Sequence, residues 1–236
     1  MRRPSASVLV LALILVSSAA VTAPAADFPD QIVDKAGQVL DEMGTLQLKA
    51  IPESLLREAE GIAIVPGLLK AGFIVGGRHG EGVILLRDEA GSWTHPVFIT
   101  LSGGSIGWQA GAQRTDVVLV FSRRTTVEEI LKDRKFTLGA DAAIAAGPIG
   151  RQAEAGTDGQ LEAEIYSYSR SRGLFAGLAI EGSAVRVNHS HNAAFYGVRN
   201  ITPEKILAGE FGELPESAAK LHERLGEWTP VEAVAE

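Results

Sequence analysis

Apolar residues recur at helical spacing between Asp30 and Met43. Ile32, Val33, Ala36, Val39, Leu40 and Met43 fall on one side, and Gly44 follows where a helix would stop. The pattern predicts an amphipathic helix over 30–43. A second, short helix is predicted after Pro52, which suits a first helical position, with Leu55, Leu56 and Ala59 as its apolar residues. From Gly61 the period changes. Short apolar or β-branched runs occupy Gly61–Pro66, Ala71–Gly77, Gly80–Arg87 and Val97–Leu101, each broken by Gly, Pro or charge, and Asp116–Ser122, with Val117, Val118, Leu119, Val120 and Phe121, reads as a buried strand. Ser105–Gln113 alternates, with Ile106, Trp108, Ala110 and Ala112 against Ser105, Gly107, Gln109, Gly111 and Gln113. So many glycines in a strand predict a bend or a close backbone approach.

Further along, Thr125 and Glu128 fit a capping box for a helix carrying Val127, Ile130 and Leu131. Asp141–Gly150 is small and Ala/Gly-rich, the composition of a tightly packed strand pair, and Ala155–Gln160 is a polar turn. Leu161–Ser171 and Ala176–Asn188 read as two strands joined through Gly173–Phe175. Helices are predicted from Thr202-Pro203-Glu204 and over Pro215–Leu225, with a loose tail at 226–236. No helix-length segments alternate regularly with the strands, which excludes a doubly wound parallel sheet. The expected class is α+β: a mainly antiparallel β barrel or sandwich of short Gly-rich strands, with peripheral helices at the N- and C-terminal ends.

The first residues carry an address. Arg2 and Arg3 precede a short apolar run, Val8–Val16, and Ala23-Pro24-Ala25 offers a small-x-small cleavage pattern. The run is short for a membrane span and its flanks suit a secretory signal over 1–25; a retained anchor is the competing reading. The expectation is therefore export, to the periplasm or else the medium. Residues 27–225 are expected to form one domain. The chain has no cysteine, so neither disulfides nor lipidation on Cys are available. Its formal net charge is −7, and loss of Arg2 and Arg3 with the leader would take it near −9. That balance argues against nucleic acid as a partner and against diffuse adhesion to anionic membrane. An anion site, if present, is local.

Such a site is suggested at Tyr166–Gly177, YSYSRSRGLFAG. On a strand Tyr166, Tyr168, Arg170 and Arg172 share one face and Ser167, Ser169 and Ser171 the other. Other patterns carry less. Gly103-Gly104-Ser105-Ile106-Gly107 spells the nucleophile elbow of serine hydrolases, but that chemistry needs a strand, a sharp turn and a helix, whereas the residues after Ser105 alternate as a strand. His189 and His191 share a face of the expected strand, with His79 and His95 as third ligands of a metal, yet no spacing fixes a third partner. No metal or other cofactor is expected, and no enzymatic activity.

An ordered set of segments resembles the SYLF domain, also described as a Las-seventeen-binding-type actin-regulator domain. The segments include Ile51-Pro52-Glu53-Ser54-Leu55-Leu56, Ala63-Ile64-Val65-Pro66, Lys70-Ala71-Gly72-Phe73, Trp93-Thr94-His95-Pro96, Gly104–Gly111, Asp116–Val120, Leu138–Asp141, Ala146–Arg151, Tyr166–Gly177 and Asn192-Ala193-Ala194-Phe195-Tyr196-Gly197. The resemblance implies a non-enzymatic protein that contacts membranes peripherally by binding phospholipids, phosphoinositides (phosphatidylinositol lipids) being best associated with eukaryotic members; some fungal members also bind actin. An exported, bacterial-type member would meet another anionic phospholipid, and an envelope protein is the alternative partner. Lys70, Arg151, Arg170 and Arg172 lie in matching segments beside glycines, where backbone N–H groups and guanidinium forks can hold a phosphate. Tyr166 and Tyr168 would flank it, and Trp93, Trp108 and Phe175 are further aromatic candidates for lipid contact. The alternatives are that these bases pair with Asp116, Asp141, Glu154 or Glu181, and that the aromatics pack in the core.

Overall fold

The structure, a computed structural model, describes residues 28–44, 51–132, 134–147, 163–171, 174–176 and 180–228, with the backbone alone at 44, 73–75, 105–111, 171 and 174–176. The expected leader, the expected turn at 155–160, Arg151 and Arg172 lie outside the described residues. Among the described residues there are six helices, α1 (Pro29–Gly44), α2 (Glu53–Arg57), α3 (Arg124–Leu131), α4 (His189–Tyr196), α5 (Pro203–Leu207) and α6 (Glu216–Trp228). Seven strands accompany them: β1 (Gly61–Leu86), β2 (Val97–Phe121), β3 (Phe136–Thr137), β4 (Ile144–Ala146), β5 (Ile165–Ser171), β6 (Leu174–Ala176) and β7 (Ala184–Val187).

The short runs predicted from Gly61 onward are not separate strands. They merge into β1 and β2, which pair antiparallel along almost their whole length, from Gly61↔Phe121 to Ile84↔Val97. The glycines and Pro66 that read as strand ends are irregularities within the pair. The register shifts between Val65 and Leu68, where Gly67 has φ +60, and again between Gly72 and Ile74. Such bulges bend a strand and strengthen its twist.

The bend is extreme. A Cβ placed on Gly82 would meet the carbonyl oxygen of Ile64 and lie 2.8 Å from Val65 Cα. One placed on Gly80 would lie 2.8 Å from Leu68 Cδ1, and one on Gly76 would meet the Ala71 carbonyl and come within 2.8 Å of Gly72 Cα. The second arm of β1 therefore lies against the first, with the fold between Gly72 and Gly76. β2 follows by register, since Gly72 faces Gly111 and Gly77 faces Gly104.

This folded hairpin organises the sheet. β7 pairs with one arm of β2 (Ile99↔Val187 to Ser102↔Ala184) and β5 with the other (Asp116↔Arg170 to Phe121↔Ile165), so the sheet curls into a half-barrel in the order β3-β7-β2-β5-β4. The pairs are antiparallel except β4 with β5. Within the predicted strand pair at 141–150, the described residues hold one strand, β4, lying parallel to β5. Gly147, just beyond it, gives room to the ring of Tyr168, which a Cβ at 147 would overlap.

The helices cover the curl. α1 buries Ile32, Val33, Ala36, Val39, Leu40 and Met43, the stripe its periodicity predicts. α6 lies beside it, with Ser217 Oγ donating to Asp30 Oδ1 at 3.1 Å and Arg224 Nε to Asp41 Oδ1 at 2.9 Å. One cluster of buried side chains runs from Ile32 to Leu225.

Three local expectations are corrected. Pro52 stands at the N-cap of α2, with ψ 138 outside the helical range, rather than at its first helical position. Thr125 lies inside α3, whose N-cap is Arg123, so the capping box is not formed; Glu128 instead accepts from Arg124 Nε at 3.2 Å. His189 and His191 open the helix α4 rather than a strand. Two positions apart on a helix they do not share a face, and no group of three His, Cys, Asp or Glu side chains able to hold a metal occurs among the described residues.

Candidate functional site

The folded end of the hairpin is chemically one-sided. Gly61–Gly80 and Val97–Thr115, the two stretches that build it, contain no Asp or Glu in a chain with 29 such residues. They contain Lys70, Arg78 and Arg114. Lys70 and Arg114 are exposed, as are Ala71, Gly72, Gly77, His79, Gly104, Ala112 and Gln113 around them. Arg114 lies beside the left-handed turn at Gly67. Arg78 reaches across the pair and donates from Nη2 to the Gly104 carbonyl at 3.0 Å, and partial burial lowers its pKa from the ordinary arginine value. Exposed glycines, Gly72, Gly77 and Gly104, lie on the same strands as these cations, a setting in which a phosphate can approach both main chain and guanidinium.

Of the two expected basic residues that are described, Lys70 stands on this exposed end and Arg170 does not. Arg170, on β5, faces Asp116 on β2 and donates to its Oδ2 from Nε at 3.4 Å and from Nη2 at 3.3 Å. Asp116 Oδ1 also accepts the Gly67 N–H at 2.8 Å, so the carboxylate is tied into the sheet. Glu42, near the end of α1, forms a second ion pair with Arg170 Nη2. The internal carboxylate posed as the alternative partner is therefore present, and it has a companion from a helix.

Tyr166 and Tyr168 are buried, and Ser167 and Ser169 are buried on the opposite face. The first half of β5 is thus covered on both sides, with β2 on one edge and β4 or β6 on the other. Tyr166 Oη accepts from the Ala163 N–H at 3.2 Å. Tyr168 Oη has no hydrogen-bond partner among the described residues, and burial, with a smaller contribution from Tyr166, pushes its pKa well above the ordinary phenol value. Neither ring reaches solvent. Trp93 is partly buried beneath the Arg87 guanidinium, 4.8 Å from the ring centroid, and Arg87 also donates to the Leu56 carbonyl at the end of α2 at 3.2 Å. Trp93 therefore helps anchor a helix end.

Arg78 and Arg114 lie outside the segments that carry the family resemblance, although Arg78 directly follows Gly77. The signal that finds them is the lack of any carboxylate across 61–80 and 97–115, and it becomes a surface property only once the hairpin is folded over. Glu42 carries no local signal at all. At Ser105 the backbone is uninterrupted strand paired with Gly76, so the strand–turn–helix geometry of a nucleophile elbow is not formed.

These features define an α+β domain built on one long folded hairpin, with a basic, carboxylate-free end. A family model described as Las17-binding protein actin regulator (Ysc84) matches residues 102–228, and the chain belongs to this family. It is 34% identical over 200 residues to the SH3 domain-containing YSC84-like protein 1 of Xenopus laevis, an alignment covering 83% of this chain and 59% of that protein. It is 38% identical over 169 residues to LAS seventeen-binding protein 3 of Saccharomyces cerevisiae, covering 71% and 36%. The chain thus spans roughly a third to three-fifths of the length of these relatives.

Proposed function

We propose that this protein is a non-enzymatic phospholipid-binding protein that meets anionic head groups at the folded end of its β1–β2 hairpin. The observation that carries the reading is the position of Lys70, Arg78 and Arg114 in two acid-free stretches, 61–80 of β1 and 97–115 of β2, within an acidic chain. A net negative protein is repelled by an anionic surface as a whole, so binding requires a face where local charge reverses the field. The hairpin end is such a face. Its cations sit beside exposed glycines, so a head-group phosphate can reach them. No helix among the described residues is long and apolar enough to cross a membrane, and the proposed contact is peripheral. The N-terminal leader pattern adds export to this reading, and an exported protein would meet phosphatidylglycerol-like lipids rather than phosphoinositides.

The test is co-sedimentation of the protein with vesicles of phosphatidylcholine alone and of phosphatidylcholine mixed with phosphatidylglycerol. Binding to the mixed vesicles that weakens as salt rises supports the reading. Equal binding to both, or binding to neither, removes it.

A second reading is a protein partner, because the family description and the yeast relative are both named for binding Las17. Those relatives are much longer than the matched region, so the named binding can reside in their other parts. Cross-linking that captures a partner through Lys70 in the absence of lipid would favour it.

A further inference from the structure

Arg170 lies next to the basic end of the hairpin, yet it is held by two carboxylates. One would neutralise it. Asp116 is its register partner on the adjoining strand and also accepts the Gly67 N–H, so that pair is part of the sheet. Glu42 is different. It comes from a separate element, near the C-terminal end of α1, and its side chain is 46% exposed while that of Arg170 is 23% exposed. An ion pair half in water is held weakly, because solvent screens the attraction and ordering the side chains opposes it. The pair is therefore replaceable. Another anion reaching Arg170 from solvent would meet the same donor Nη2, in competition with Glu42.

We infer that Glu42 is an internal counter-anion: it occupies Arg170 in place of a lipid phosphate and raises the density of anionic lipid that the hairpin end needs before it binds. This inference rests on the phospholipid-binding reading and adds a regulatory element to the same site. With Glu42 in place, the Arg170–Asp116–Glu42 group carries a net negative charge and opposes an approaching anionic surface. With Glu42 displaced, the group is neutral and Arg170 has a donor free for phosphate. α1 thus acts as a threshold on binding, and any event that draws its end away from β5 lowers the threshold.

The experiment is vesicle co-sedimentation with the full chain, using phosphatidylcholine–phosphatidylglycerol mixtures of graded anionic content. Glu42→Gln keeps the size and the helix and removes the charge. It should bind about fivefold more tightly at a given anionic content, the effect of one charge near such a surface. Arg170→Gln alone should bind no better than the parent and up to about fivefold more weakly, because it leaves Asp116 and Glu42 as uncompensated charges. The double variant Glu42→Gln/Arg170→Gln should lose the gain, and Glu42→Gln/Arg170→Lys should keep part of it. If the parent binds and Glu42→Gln binds no better, or if the gain survives in the Arg170→Gln double variant, Glu42 is not a competitor for Arg170 and the inference fails alone. If no variant, Glu42→Gln included, binds anionic vesicles, the inference and the phospholipid reading fail together.

Discussion

Gly82 stands against the carbonyl of Ile64 within one continuous strand, in a space that admits no Cβ. This contact marks where the second arm of β1 lies on the first, and the whole curl of the sheet depends on it. Gly82→Ala would force backbone apart in a packed interior, at an expected cost of about 1–3 kcal/mol or more. Gly104→Ala, on the exposed part of the same hairpin with nothing within 4 Å of the added methyl, should change stability by less than about 0.5 kcal/mol. Urea denaturation of the two variants checks this. Equal stability would mean that the arms are not in contact.

Asn192 is fully buried in α4, and its Oδ1 accepts the Phe98 N–H of β2 at 2.9 Å. Its side chain ties the helix to the sheet at a main-chain group that would otherwise be unpaired. Asn192→Ala should cost about 1–3 kcal/mol, the penalty of a buried donor left without an acceptor. The same denaturation measurement tests it.

Tyr168 and Tyr196 should resist ionisation. Burial raises both pKa values above the ordinary phenol value, and Tyr196 Oη donates to the Pro96 carbonyl at 2.7 Å. In an ultraviolet alkaline titration these two of the three tyrosines should ionise only as the protein unfolds. Tyr168→Phe removes a buried hydroxyl that has no partner among the described residues, so it should be neutral or stabilising. A marked loss of stability would show that the hydroxyl is bonded.

His95 and His222 make folding pH-dependent. Their rings are 5.3 Å apart, and His222 Nε2 contacts the Thr94 carbonyl at 3.0 Å. Burial lowers both pKa values, His222 adding to the effect on His95 and the Thr94 carbonyl partly offsetting it on His222. A histidine with a depressed folded-state pKa binds fewer protons folded than unfolded, so stability rises with pH until the unfolded value near 6.5 is passed. The midpoint of urea unfolding should therefore fall as pH drops from about 7 towards 5. His222→Gln should flatten that dependence. A midpoint that rises on acidification would contradict the sign.

The amphipathic helices are legible because their buried residues repeat at one period. The stripe Ile32–Met43 on α1 is unbroken, and Ala218, Leu221 and Leu225 on α6 have the same spacing. The length of β1 is not legible, because glycine marks a strand end and a strand fold-back with the same residue. Only the packing of Gly80 and Gly82 on Val65 distinguishes them. α4 is missed because His189-Ser190-His191-Asn192 offers no apolar periodicity; its start is marked by Asn188, whose Oδ1 accepts the His191 N–H at 3.1 Å. At the candidate site the alternation of Tyr166, Tyr168 and Arg170 correctly gives a shared strand face. It does not say that the face is covered, nor that Glu42 reaches Arg170, because both depend on elements distant in the chain.

The central claim is that the acid-free end of the folded hairpin binds anionic phospholipid. The most direct measurement compares the parent protein with the triple variant Lys70→Ala/Arg78→Ala/Arg114→Ala in co-sedimentation with phosphatidylcholine–phosphatidylglycerol vesicles. At roughly 1 kcal/mol for each cation near the surface, the variant should lose on the order of a hundredfold in partitioning, and the salt dependence should flatten with it. Binding that persists unchanged in the triple variant would contradict the account.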